Sequence, residues 1–278
     1  MAATLENILS SIPLSNGVHK NPTEGACAME CVAYLQGESY TDHPECASPV
    51  IAAFTALSND AMKPEQRQLL APRIPRILGS HATPETEVRR LCFLADYAAR
   101  SYAATALRLA NLDEFSEPLT ALPPYTDIAQ TADFLAAIAA VDAAIDQRFA
   151  GWETVPRIVK KCRALLQCLR MVFADIESAA KVLHSDKTAK EIFRLLIAKS
   201  VGAASTSFHV FINVQGFTHL ADRIAVLDGL LDIGNAGITD EDAERLVSRA
   251  QLLALFTAEA LLKAETPDPD AAPSPPST

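Results

Sequence analysis

From Glu153 to Leu183 apolar side chains recur three and four residues apart: Val155, Ile158, Cys162, Leu165, Leu169, Val172, Ile176 and Leu183. That spacing draws one stripe along an α-helix. A stripe so narrow and persistent packs along another helix, inside a bundle or across a homodimer, and it predicts Leu165, Leu169 and Val172 as core. The opposite face carries Arg157, Lys160, Lys161, Arg163 and Arg170, which reads as solvated charge with the alternative of an anion or an acidic partner.

Other segments repeat the pattern with clear punctuation. Ser48-Pro49 has the form of an N-cap and first helical residue, and Val50, Ile51, Phe54 and Leu57 follow on one face. Thr83-Pro84 repeats the device, with Glu85 and Glu87 in the first turn where the helix dipole favours them. Val88, Leu91, Cys92, Ala95, Ala98, Tyr102 and Leu109 then mark a long helix to about Ala110. Between these two, Pro72 and Pro75 forbid an uninterrupted helix. An alanine-rich helix is predicted over Asp127–Arg148. The last helix starts at Thr239-Asp240-Glu241-Asp242 and runs to about Lys263, with Leu246, Ala250, Leu253, Phe256 and Leu261 inward.

The stretch from Ser200 to Ala221 has no formal charge when histidine is neutral. Ser205, Thr206, Ser207, His209, Asn213, Gln215 and His219 are too many polar groups for lipid, so it reads as a core helix, with a short strand over residues 207–214 as the alternative. The expected class is all-α, a multi-helix bundle-like protein with little or no β-sheet. Residues 1–112 form an N-terminal part, 113–126 a connector with Pro118, Pro123 and Pro124, and 127–263 a C-terminal helical part. Residues 264–278, with five prolines and no large apolar side chain, are expected to be a disordered tail.

Composition agrees with that class. Hydrophobic residues make up 49% of the chain but aromatics only 6%, so Ala and Leu must do much of the packing, which favours close-set helices. The formal charge of -10 makes non-specific nucleic-acid binding a poor expectation. The first residues lack the cationic start and continuous apolar core of a signal peptide, so the expected location is the cytoplasm. In that setting the six cysteines are not a disulfide framework, and Cys92, Cys162 and Cys168 read as small buried hydrophobes.

Reactive side chains concentrate in Glu24–Pro49, EGACAMECVAYLQGESYTDHPECASP. Three chemistries compete there. Cys27, Cys31, His43 and Cys46 give C-x3-C-x11-H-x2-C, a donor set that zinc favours at a spacing unlike a standard ribbon or finger. Alternatively Cys27, at the start of a helix, is a nucleophile, with His43 as general base and Asp42 or Glu30 as its orienting carboxylate. The structural account places Cys27, Cys31, Tyr34 and Leu35 on the inner face of a short helix ending near Gly37. Asp42 and His43 then fix the turn before Ser48-Pro49 by side-chain-to-backbone hydrogen bonds.

The pattern Gly25, Cys27, Met29, Glu30, then Asp42, His43, Pro44, Cys46, Pro49 and Ile51 resembles a family of uncharacterised bacterial and bacteriophage proteins. The resemblance runs through RIPRILGS and LADYAARSY and covers roughly the first 125 residues. The family typically carries Ala at the position of Cys31, which would make one zinc ligand dispensable. It brings no established activity. The expectation is a helical binding or interaction protein of mobile-element or phage origin, engaging a host protein or a small molecule. A cysteine-dependent enzyme and a small zinc-containing module are the alternatives.

Overall fold

The computed structural model describes residues 2–182, 220–234 and 238–265. It is all-α, and no strand occurs among the described residues. The main helices are α1 (Ala2–Ser10), α2 (Ala28–Gln36), α3 (Pro49–Ala61), α4 (Pro84–Asp96), α5 (Thr131–Arg148), α6 (Arg157–Val182), α7 (Leu220–Asp232) and α8 (Asp240–Glu265). The expectations for Leu183, for the stretch from Ser200 to His219 and for residues 266–278 lie outside the described residues.

The capping signals act as read. Ser48 Oγ accepts the Ile51 N–H and Thr83 Oγ1 accepts that of Thr86, with proline next in each case. Thr239 Oγ1 accepts the Asp242 N–H in the same way. Pro72 and Pro75 break the intervening chain into a 3-10 turn, Gln68–Arg73, and a short helix, Ile74–Ile77. α4 runs on through a π-helical segment, Tyr97–Ala103, into Ala104–Leu109. The stretch between residues 113 and 126 is partly structured: it forms the short helix Glu117–Thr120 and buries Leu119 and Tyr125.

α6 lies along α5 and also crosses α4. Cys162, Leu165, Leu169, Val172 and Ile176 are all buried, as the stripe predicts, facing a core that includes Phe134, Ile138, Val141 and Ile145 of α5. Tyr125, Phe134 and Phe173 meet with ring centroids about 5 Å apart. On the outside, Arg163 bridges Asp142 and Asp146, so part of the basic face is neutralised from within.

α1 packs on α8, and α8 also supports α2. Leu246, Ala250 and Leu253 of α8 are buried, but Leu261 is turned to solvent and Phe256 only half-buried, against expectation. The 3.6-residue period explains this: from Leu253 the inward face passes to Thr257, which is buried and donates its hydroxyl to Leu253 O. The buried residues form one continuous cluster from Leu5 to Leu253, so both sides of the connector share a core.

Candidate functional site

α2 begins with an unusual cap. Cys27 Sγ accepts the Glu30 N–H at 3.3 Å, and Glu30 Oε2 accepts the Cys27 N–H at 2.8 Å. This is the reciprocal capping box with a thiol in the place of a hydroxyl, and its Cys-x-x-Glu spacing is visible in the sequence. Gly37 closes the helix at φ 90°, a conformation glycine adopts without strain.

Glu30 is fully buried, and its carboxylate collects more than the cap. It accepts the His19 backbone N–H at 2.6 Å on Oε1 and the His19 Nδ1–H at 2.8 Å on Oε2. His19 Nε2 in turn stands 3.0 Å from Ser15 Oγ. The Ser15 hydroxyl also receives the Ala26 N–H at 3.2 Å. A serine, a histidine and a buried carboxylate are thus threaded on one hydrogen-bonded line. Tight packing holds it: a Cβ on Gly25, whose φ is +135°, would sit 2.8 Å from both Ser15 Oγ and His19 Cδ2.

The chain around this line is fixed by further buried polar groups. Asn59 accepts the Ala28 N–H on Oδ1 and donates Nδ2 to Ser15 O. Arg67, almost wholly buried, donates to the carbonyls of Asn59 and Met62. Tyr40 donates its hydroxyl to Gly25 O at 2.6 Å. Each of these side chains satisfies a backbone group away from regular helix hydrogen bonding.

The residues singled out from sequence separate into two places. Glu30 joins Cys27 and His19. Asp42 and His43 instead form a loose pair with each other, 3.6 Å apart, and the His43 side chain is 76% exposed. Burial, then the Glu30 charge, pushes the Cys27 thiol up to about 12. A cysteine nucleophile requires its thiolate, and this environment opposes it. Burial likewise pushes the Cys31 thiol up, and burial followed by the Glu38 charge takes Cys46 to about 12. Among the described residues no three His, Cys, Asp or Glu side chains gather to hold a metal ion, and Cys27, Cys31, His43 and Cys46 are not brought into one shell.

The turn before Ser48-Pro49 is held by other groups than expected. Glu38 accepts the N–H groups of Glu45 and Cys46, and Thr41 Oγ1 accepts that of His43. Glu38 is long enough to reach back across the loop, whereas Asp42 and His43 point their polar atoms at each other. The Ser48 hydroxyl meanwhile donates to Glu87 Oε2 at 2.5 Å, and Glu87 is paired with the buried Arg90. The loop and the first turns of α3 enclose a cleft of about 190 Å³, lined by His43, Pro44, Glu45, Ala47, Pro49, Ala52 and Ala53.

Sequence reading passed over Ser15 and His19. They lie in a polar stretch outside any periodic segment, and the eleven-residue step from His19 to Glu30 follows no helical or strand register. No family model, no curated protein and no solved structure matches this chain.

Proposed function

We propose that the chain is a helical binding protein whose partner is another protein, engaged at the cleft beside His43. The observation that carries this reading is the cleft itself: Pro44, Ala47, Pro49, Ala52 and Ala53 give it apolar walls, and His43 and Glu45 stand at it as the polar groups. Size selects the partner class. Pockets for drug-sized ligands span roughly 300–1,000 Å³, whereas this one suits a single apolar side chain. Burying one such side chain yields about 1.5–3 kcal/mol, enough alone only for weak binding of roughly 6–80 mM but useful as an anchor within a larger protein contact. His43 and Glu45 offer a donor and an acceptor to the backbone flanking that anchor.

The reading is tested by titrating the labelled protein with blocked tripeptides carrying a central Leu, Phe or Trp and following nuclear magnetic resonance shifts. Saturable shifts at residues 43–53 are expected in the millimolar range, and Ala53→Met, which fills the cleft, should remove them. Shifts absent from these residues, or unchanged in Ala53→Met, would overturn it.

A further inference from the structure

We propose that Ser15, His19 and Glu30 constitute a hydrolytic centre for short-chain carboxylic esters, separate from the binding cleft. The order of contacts is that of a general-base relay. Glu30, fully buried, accepts the Nδ1–H of His19 and so fixes the tautomer that leaves the Nε2 lone pair facing Ser15 Oγ. Nε2 to Oγ is 3.0 Å and Nδ1 to Oε2 is 2.8 Å, both within reach for proton transfer and for orientation. Structural needs alone do not explain the imidazole. Glu30 already accepts the backbone N–H groups of Cys27 and His19; Ser15 Oγ accepts the Ala26 N–H and lies 3.3 Å from Ala26 O, the acceptor its proton leaves when it turns to Nε2.

Access and selectivity follow from the surroundings. Glu30 has no exposure, the His19 side chain retains 14%, and Ser15 is half-buried beside the exposed Asn16, Gly17 and Val18. The line therefore starts at a fully buried carboxylate and ends at a half-buried serine. The Gly25 side of the hydroxyl is closed, since a Cβ there would sit 2.8 Å from Ser15 Oγ, so an ester has to approach from the side of the exposed Asn16, Gly17 and Val18.

In the first half-reaction Ser15 Oγ bonds to the ester carbonyl carbon while its proton passes to His19 Nε2. The carbon–oxygen bond to the alcohol then breaks, and the alcohol leaves with that proton. In the second, water attacks the acyl-serine and gives one proton to His19. The carboxylic acid departs, and Ser15 recovers its proton. Glu30 acts as a positioning residue that stabilises the imidazolium in both halves.

The test uses the whole chain with p-nitrophenyl acetate and, separately, a fluorophosphonate followed by peptide mapping. Expected are a single phosphonyl adduct on Ser15 of the native protein and ester turnover that Ser15→Ala reduces to the solution rate. His19→Gln should lower turnover about 10²–10⁴-fold. Glu30→Gln should lower turnover per folded molecule, with folded molecules counted by the phosphonyl adduct on Ser15, a normalisation that removes the effect of lost folded protein. Because the adduct is read on the unaltered chain, a variant that fails to fold leaves the proposal exposed to refutation. No adduct on native Ser15, an adduct that forms equally in denatured protein, or turnover unchanged by Ser15→Ala would overturn it. Loss of tripeptide binding at the cleft has no bearing on any of these outcomes.

Discussion

The N-terminal unit and the α5–α6 pair bury their residues by opposite means. Around α2 the interior holds Glu30, Asn59 and Arg67, each satisfied by named donors or carbonyls. Along α5 and α6 the interior is aliphatic and aromatic, and charge stays outside in the Arg163 bridges. An apolar seam tolerates exchange of one hydrophobe for another of similar volume, because dispersion and water exclusion have little direction. A buried polar network does not, since a displaced partner leaves a donor or acceptor stranded. The helical pair therefore supplies stability, and the N-terminal unit supplies geometry.

The largest effect should come from charging the apolar seam. Leu169 is fully buried, and Leu169→Asp puts an unpaired carboxylate among aliphatic side chains, costing about 5 kcal/mol or more. Circular dichroism should show a variant largely unfolded at room temperature. Helicity and a thermal midpoint equal to the parent's would place this stripe on the surface.

Emptying the polar network should cost somewhat less. Glu30→Ala strands the Cys27 and His19 N–H groups and the imidazole, a loss of about 3–5 kcal/mol by chemical denaturation. Hydrogen exchange should rise most around residues 15–36. A uniform rise across α5 and α6 would erase the distinction between the two regions.

Much of this division is legible in sequence, but only on one side. The α6 stripe, the Ser48-Pro49 and Thr83-Pro84 caps and the end of α2 at Gly37 all follow from local spacing, because helix periodicity and caps are decided within a few residues. The relay from Ser15 to Glu30, the reach of Glu38 to the Cys46 loop and the lock of Ser48 onto Glu87 depend on where loops return in space. No period encodes that. α1 and the π-helical turn after Asp96 were likewise not read, the first for want of a cap signal and the second because one widened turn leaves the apolar pattern nearly intact.

In their response to pH the two regions should behave alike. Burial pushes the thiols of Cys27, Cys92 and Cys162 up to about 12. In the unfolded chain they ionise near 9. Above that pH the unfolded state releases protons that the folded state keeps, so the folded state loses ground between about pH 9 and 12. The thermal midpoint should fall over that window, and Cys162→Ala should flatten the fall. The same burial predicts that Cys27 resists alkylation at neutral pH until the chain is unfolded. Rapid native labelling of Cys27 would mean its cap is open.

Smaller still is the cap itself. Cys27→Ser keeps an acceptor for the Glu30 N–H and should change stability little, while Cys27→Ala should cost about 1 kcal/mol in a denaturant titration. Equal midpoints for the two variants would show that the thiol contributes packing alone. Smallest is Arg163→Ala, whose bridges to Asp142 and Asp146 are partly exposed; an effect of about 0–1 kcal/mol is expected, shrinking with salt. A larger loss would shift weight from the seam to its surface.

The docking of α1 on α8 has a consequence for how the molecule is made. Leu5 and Leu9 are buried, and α1 rests against a helix that begins at Asp240. During synthesis the first helix emerges long before its partner exists, so for most of translation those leucines have no native surface to cover them. Closing a loop of that length directly from a disordered chain costs about 5 kcal/mol. The helices in between reduce that cost only by folding first. Tyr34 of α2 waits as well, since its ring is covered by Arg249. The polar unit that sets the geometry of the candidate sites is therefore made well before α8 and completed only once α8 has emerged. A ribosome stalled before Asp240 would hold it open, with its apolar face available to a chaperone.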